Sequence, residues 1–263
     1  MRSDPKYLQT MASHLTKANP PEVLYRYRRP CDWALKEISE PHVHIASPED
    51  MNDPFESRAP LHYNLSKLKN VYAFVMTQRG ATDAEARLEA ERLNDQSIAS
   101  LKAGIEDLRR DSGLICLSSD PRSNRMWAYY AECHRGICIT YDARLEPFSL
   151  ARSVLYEDPK EPLDAMEAHA GDLTRFADHV SLRKGKEWEF EQEYRVYVGP
   201  FENGHTRTLP IKPGAILEVR LGTNISPEFK EKVMAAANAL PVRPKIFQME
   251  CDYEGFQLIE ILI

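Results

Sequence analysis

Strand-like and helix-like segments follow one another in uneven clusters along this chain, and that order constrains the fold more than any single motif. β-Branched and aromatic residues mark strands at Val23–Tyr27, His42–Ala46, Leu114–Leu117 and Gly136–Asp142. In the last of these, Ile137, Ile139 and Tyr141 alternate with Cys138 and Thr140. Further strands are expected at Glu193–Val198, Arg207–Ile211, Ala215–Leu221, Lys245–Met249 and Gln257–Leu262. Helical patterns cover Cys31–Ser39, Asp83 to about Arg110 behind a Thr82-x-x-Glu85 capping box, and about Leu163–Lys184. Another starts at Ser226-Pro227 and runs to about Leu240. Regular βαβ alternation is missing. The expectation is an α+β fold: a single domain with a mixed or mostly antiparallel sheet flanked by helices. That domain covers residues 23–263, follows an N-terminal helix in 1–22, and carries a helical insertion at about 64–112.

Composition narrows the function classes. With 43% hydrophobic and 28% charged residues, the chain has the make-up of an ordinary globular protein and excludes disordered or collagenous classes. Its longest apolar runs reach about half of the ~20 residues a membrane helix needs, so no membrane partner is expected. A net charge of −6 argues against wholesale non-specific binding to nucleic acid. The five cysteines are scattered with no CxxC, which reads as reduced thiols, and the first residues lack an apolar signal core. A cytoplasmic location is the expectation.

Four clusters hold more chemistry than packing requires. In Leu24-Tyr25-Arg26-Tyr27-Arg28, alternation puts the tyrosines on one face and the arginines on the other, where guanidinium groups suit phosphate or carboxylate. Solvated surface arginines would give the same pattern. Ser47-Pro48-Glu49-Asp50 opens a helical turn that Asn52-Asp53-Pro54 breaks, with Phe55 and Glu56 following. Ser118 and Ser119 precede Met126-Trp127-Ala128-Tyr129-Tyr130, where Trp127 and Tyr130 share a helix face suited to stacking on a ring or to plain core packing. Finally, Glu191, Glu193 and Arg195 share a face if that stretch is extended. Carboxylates so close raise one another's pKa unless a cation answers, and such clusters recur both at active sites and in structural ion-pair ladders. Phosphate-binding glycine loops, HExxH and hydrolase signatures are all missing from the sequence.

Taken in order, LYRYR, SPEDMNDPFE, LSSDPRSNRMWAYYAECHRGICITYD, KGKEWEFEQEYRVYV and LGTNISPEFKEKV resemble a bacterial family, domain of unknown function 2971, over most of the chain from about Val23. A weaker resemblance is to ADP-ribosyltransferases, which carry an Arg or His on an early strand, a Ser-rich or Tyr-bearing second motif, and a Glu-x-Glu on a later strand. Here Arg26, then Ser118-Ser119 or Tyr130, then Glu191-x-Glu193 are similar in place. This resemblance implies an ADP-ribosyltransferase-like fold and NAD as substrate. Glu193 and Glu191 would be the catalytic pair, Glu193 stabilising the oxocarbenium-like centre and Glu191 orienting or deprotonating the acceptor. Arg26, Tyr25, Ser118, Ser119, Trp127, Tyr130 and Arg195 would contact NAD, and no metal is implied. The acceptor would be a protein or nucleic acid, in a bacterial toxin or phage-defence setting. Two alternatives stand beside it: a non-catalytic sensor of nucleotides or anions, and a metal-dependent nuclease or phosphoesterase using Asp53, Glu56 and Glu191.

Overall fold

The computed structural model describes residues 20–40, 42–58, 61–157, 163–164, 180–199 and 207–263. The helix expected in 1–22 lies outside them except at its last three positions. The fold is α+β, built on one eight-stranded sheet. Its strands are β1 (Val23–Arg28), β2 (Gly113–Ser118), β3 (Ile137–Asp142), β4 (Arg152–Ser153), β5 (Glu193–Val198), β6 (Ile216–Leu221), β7 (Lys245–Asp252) and β8 (Gln257–Leu262). Across the sheet they run β8-β7-β6-β3-β1-β2-β5-β4. Only β6 and β7 pair in parallel; the other neighbours are antiparallel. A parallel pair needs a crossover, and helix Pro227–Asn238 supplies it. Ser226 caps that helix by accepting from the Phe229 N–H at 3.2 Å.

The two sheet faces differ in chemistry. Leu24, Ile115, Leu117, Ile137, Ile139, Val196, Val219 and Leu221 form one apolar face with a shared core. Helix α1 (Asp32–Ser39) covers it with Ala34 and Ile38, beside Phe229, Val233 and Ala237 of the crossover helix. Those last three recur every four residues, which puts them on one helix face. Burying Phe229 or Val233 contributes about 1.5–3 kcal/mol each. The opposite face carries Tyr25, Tyr27, Cys116, Ser118, Cys138, Glu193, Arg195 and Arg220, by cross-strand register. Met126, Trp127 and Ala131 close over its middle, with Tyr27, Cys138, Met249 and Leu258.

Between β1 and β2 lie three further helices: α2 (Leu65–Gln78), α3 (Asp83–Glu91) and α4 (Asp95–Asp111). The single helix expected from Asp83 to Arg110 is therefore two. The Asn94 side chain accepts from the N–H groups of Gln96 and Ser97 and starts a new helix there. Two residues of α5 (Asn124–Tyr130), Met126 and Trp127, are buried against the polar face, and the crossover helix Pro227–Asn238 is α6. The helix expected over Leu163–Lys184 also needs correcting at its ends. Leu163–Asp164 pairs in parallel with Leu61–His62, Arg183–Lys184 pairs in parallel with Leu155–Tyr156, and residues 165–179 lie outside the described set. No helix among the described residues is long and apolar enough to cross a membrane.

Candidate functional site

On the polar face, Tyr25 of β1, Ser118 of β2 and Glu193 of β5 stand directly opposite one another in a single cross-strand row. Direct opposition in an antiparallel ladder brings side chains within about 5.5 Å at Cβ, so the three form one continuous strip. Glu193 opens β5. The chain reaches it through a 3-10 turn, Lys186–Glu191, and then Gln192 in the left-handed region with φ 44°. The extended reading of Glu191 is thus overturned, since the strand starts two residues later. The turn still brings both carboxylates together, around a residue outside the four sequence clusters, Lys184.

Lys184 Nζ lies 2.5 Å from Glu191 Oε2 and 3.5 Å from Glu193 Oε2. Glu193 also accepts from Arg195 Nη2 at 2.8 Å, and Arg195 grips both oxygens of Glu56 at 2.7 and 2.8 Å. The Arg195 Nη1 donates further to the Ser181 carbonyl. Tyr130 donates its hydroxyl to Glu191 Oε1 at 2.5 Å and accepts from Asn52 Nδ2 at 3.0 Å. Ser118 Oγ donates to the Glu191 carbonyl at 2.7 Å, fixing the turn to β2. The Glu193 N–H donates to the Tyr156 hydroxyl at 2.7 Å.

All five charged side chains of this network are buried, with three carboxylates against two cations. The surplus falls on Glu191. Burial, and then the Glu193 charge, push its carboxyl above the ordinary carboxylate range, and Lys184 offsets only part of this. Burial opposes ionisation of Glu193 too, but Arg195 and then Lys184 overcome it and hold that carboxyl well below the ordinary range. Two neighbouring carboxyls with proton affinities driven apart are the arrangement that separates a fixed anion from a proton carrier. Burial and then Glu191 raise the Tyr130 hydroxyl, which stays a donor.

The other sequence candidates fall elsewhere. Arg26 pairs in register with Ile139 and so faces the apolar side of the sheet. There its guanidinium reaches Glu37 at 3.3 Å and the His44 carbonyl at 2.8 Å, away from Glu193. Glu37 also holds Arg28 and accepts from the Tyr141 hydroxyl. The structure thus puts Tyr25, and not Arg26, in the row with Ser118 and Glu193. Trp127 is fully buried, its indole N–H donating to the Pro121 carbonyl and its ring packed by Tyr27 and His134. Ser119 sits at the rim, with Oγ donating to Gln192 Oε1 at 3.1 Å. The ring of Tyr25 lies under the Arg220 guanidinium, 5.2 Å from its centroid. Asp53 accepts from the Phe55 N–H within its own turn, and both Glu56 oxygens accept from Arg195, so among the described residues Asp53, Glu56 and Glu191 do not converge as a set of metal ligands. Among the described residues no group of three His, Cys, Asp or Glu side chains is arranged to hold a metal ion.

Outside the network, an aromatic ribbon borders Glu191. Phe190 lies 5.9 Å from Tyr129 and 6.1 Å from Trp188, and Arg125 stands 5.3 Å over its ring. Tyr129 is largely exposed, so the ribbon presents ring surface to solvent beside the buried carboxylates. Set against family models, curated proteins and solved structures, the chain matches none.

Proposed function

We propose that the protein transfers ADP-ribose from NAD to a protein or nucleic-acid acceptor. The observation that carries this reading is the row of Tyr25, Ser118 and Glu193 on three adjacent strands, β1, β2 and β5. These strands bear, in the same chain order, the three motifs that resemble those of ADP-ribosyltransferases. Tyr25 takes the place first expected for Arg26.

In this reading the ribosyl–nicotinamide C–N bond breaks and its electron pair leaves with nicotinamide. Glu193, held ionised by Arg195 and Lys184, faces the positive charge that develops on the ribose. The acceptor's lone pair forms the new bond, and Glu191 takes its proton, as its raised proton affinity suits it to do. Tyr130 and Lys184 orient Glu191 for that step. The ribbon of Tyr129, Phe190 and Trp188 offers a stacking surface for a ring of NAD or of the acceptor.

The test uses NAD labelled on its adenylate portion, incubated with bacterial lysate and wild type, Glu191→Gln or Glu193→Gln protein. Label entering the protein or nucleic-acid fraction with wild type alone is the expected result. Wild type that shows no transfer and releases no free nicotinamide sinks the reading.

One observation favours a second reading, a nucleotide- or anion-binding sensor: Glu193 and Arg195 already satisfy each other's charge. Saturable NAD binding by calorimetry without nicotinamide release would select it.

A further inference from the structure

β8 forms one edge of the main sheet, and among the described residues no strand pairs with its outer side. Natural edges are blunted by Pro, Lys, bulges, very short strands or an inward-pointing charge. β8 has only the last, Glu260: Gln257–Leu262 contains neither Pro nor Lys, and its six residues pair with β7 in unbroken register. The Ile263 N–H donates to the Ile246 carbonyl at 3.0 Å. Antiparallel hydrogen bonding alternates along a strand, so Leu258, Glu260 and Leu262 turn their N–H and C=O groups outward.

The sequence of this edge is a palindrome, Leu258-Ile259-Glu260-Ile261-Leu262. We propose that a second copy of this chain pairs antiparallel along β8, about a two-fold axis at Glu260. An isologous interface must be self-complementary, and this register is. Leu258 then faces Leu262 of the second copy, and Ile259 faces Ile261. The outward groups of both strands meet in about six main-chain hydrogen bonds. Ile259 and Ile261, 36% and 41% exposed in one chain, come together as cross-strand apolar pairs.

The one unfavourable pairing, Glu260 against itself, is already answered. Arg220 Nε holds Glu260 Oε1 at 3.0 Å and Arg122 Nε approaches it at 3.3 Å. Two carboxylates at the axis thus meet four guanidinium groups. A peptide from another protein gains nothing from the palindrome, whereas a second copy uses all of it.

Sedimentation velocity on the full chain tests the proposal. Wild type is expected at twice the 30.2 kDa chain mass, and Ile259→Lys/Ile261→Lys at the single mass with unchanged circular dichroism. Wild type at the single mass across the concentration range overturns it, as does a dimer that persists in the double variant. If that variant fails to fold, amide exchange on wild type decides. The Leu258, Glu260 and Leu262 amides should slow as concentration rises; fast exchange independent of concentration overturns the proposal.

Discussion

Lys184 and Glu191, seven residues apart, are joined at 2.5 Å by a 3-10 turn that folds the chain back on itself, and both side chains are buried. The ammonium is the only group that touches both carboxylates of the Glu-x-Glu pair among the described residues. Lys184→Met removes it and leaves two buried carboxylates facing each other. Urea denaturation should show a loss of about 3–5 kcal/mol, the usual consequence of breaking a buried ion pair from one side. A loss under 1 kcal/mol would mean that the network is not closed in solution.

The two carboxyls impose opposite pH dependences on stability. Glu193, with its folded pKa lowered, contributes stability above the unfolded value of about 4.3 and loses it as pH falls below that. Glu191, with its folded pKa raised, contributes stability below about 4.3 and loses it as pH rises through its folded value. Glu191→Gln removes the second effect, and with it the negative charge that opposes ionisation of Glu193. Its stability relative to wild type should therefore rise steadily from acid to neutral pH, as followed by thermal melts. A difference that stays flat with pH would show that Glu191 titrates normally.

Tyr25 and Arg26 are neighbours in sequence with their side chains on opposite faces, and their surroundings can be perturbed separately. Glu37→Gln loosens Arg26 and Arg28 on the apolar side and should lower stability by roughly 2–4 kcal/mol. In the labelled-NAD assay, below its melting temperature, it should transfer label as wild type does. Tyr25→Phe removes one hydroxyl from the row and should lower transfer at least tenfold with little change in melting. The reverse pattern would return the role to Arg26.

Gln192 holds a left-handed conformation, φ 44°, between the two carboxylates. A non-glycine residue there costs about 1–2 kcal/mol. Gln192→Gly should raise stability by about 1 kcal/mol, because its exposed contact with Ser119 contributes little. Destabilisation would mean that the Gln192 side chain holds the turn.

Strand positions were legible because alternation survives in a half-polar sheet. The expected Glu193–Val198 and Gln257–Leu262 are the observed spans, and Gly136–Asp142 differs by one residue. Alternation also paired Tyr25 with Tyr27 and Arg26 with Arg28 on separate faces. It could not tell which face α1 would cover, and so Arg26 read as a ligand holder when Glu37 already claims it. Lys184 was missed for a different reason. Its partnership arises from a turn and a left-handed residue, neither of which has a periodic signature. The one available signal was electrostatic: Glu187, Glu189, Glu191 and Glu193 crowd a segment that needs a nearby cation to fold. Likewise the apparent continuity of Asp83–Arg110 hid the break, and Asn94 with Ser97 was its only mark.

The sheet stands as a septum between two buried ionic clusters, Glu37 with Arg26 and Arg28 on one side and Lys184, Glu191, Glu193, Arg195 and Glu56 on the other, each set beside its own apolar packing. Acid weakens the Glu193 side as its carboxylate protonates, whereas cold weakens the hydrocarbon packing on both. Damage to Glu191, Lys184 or Tyr130 is therefore insulated from Ile38, Val219 and Val233 by a full layer of backbone. A change on one side thus reaches the other only through the stability that both share, and not through side-chain contact.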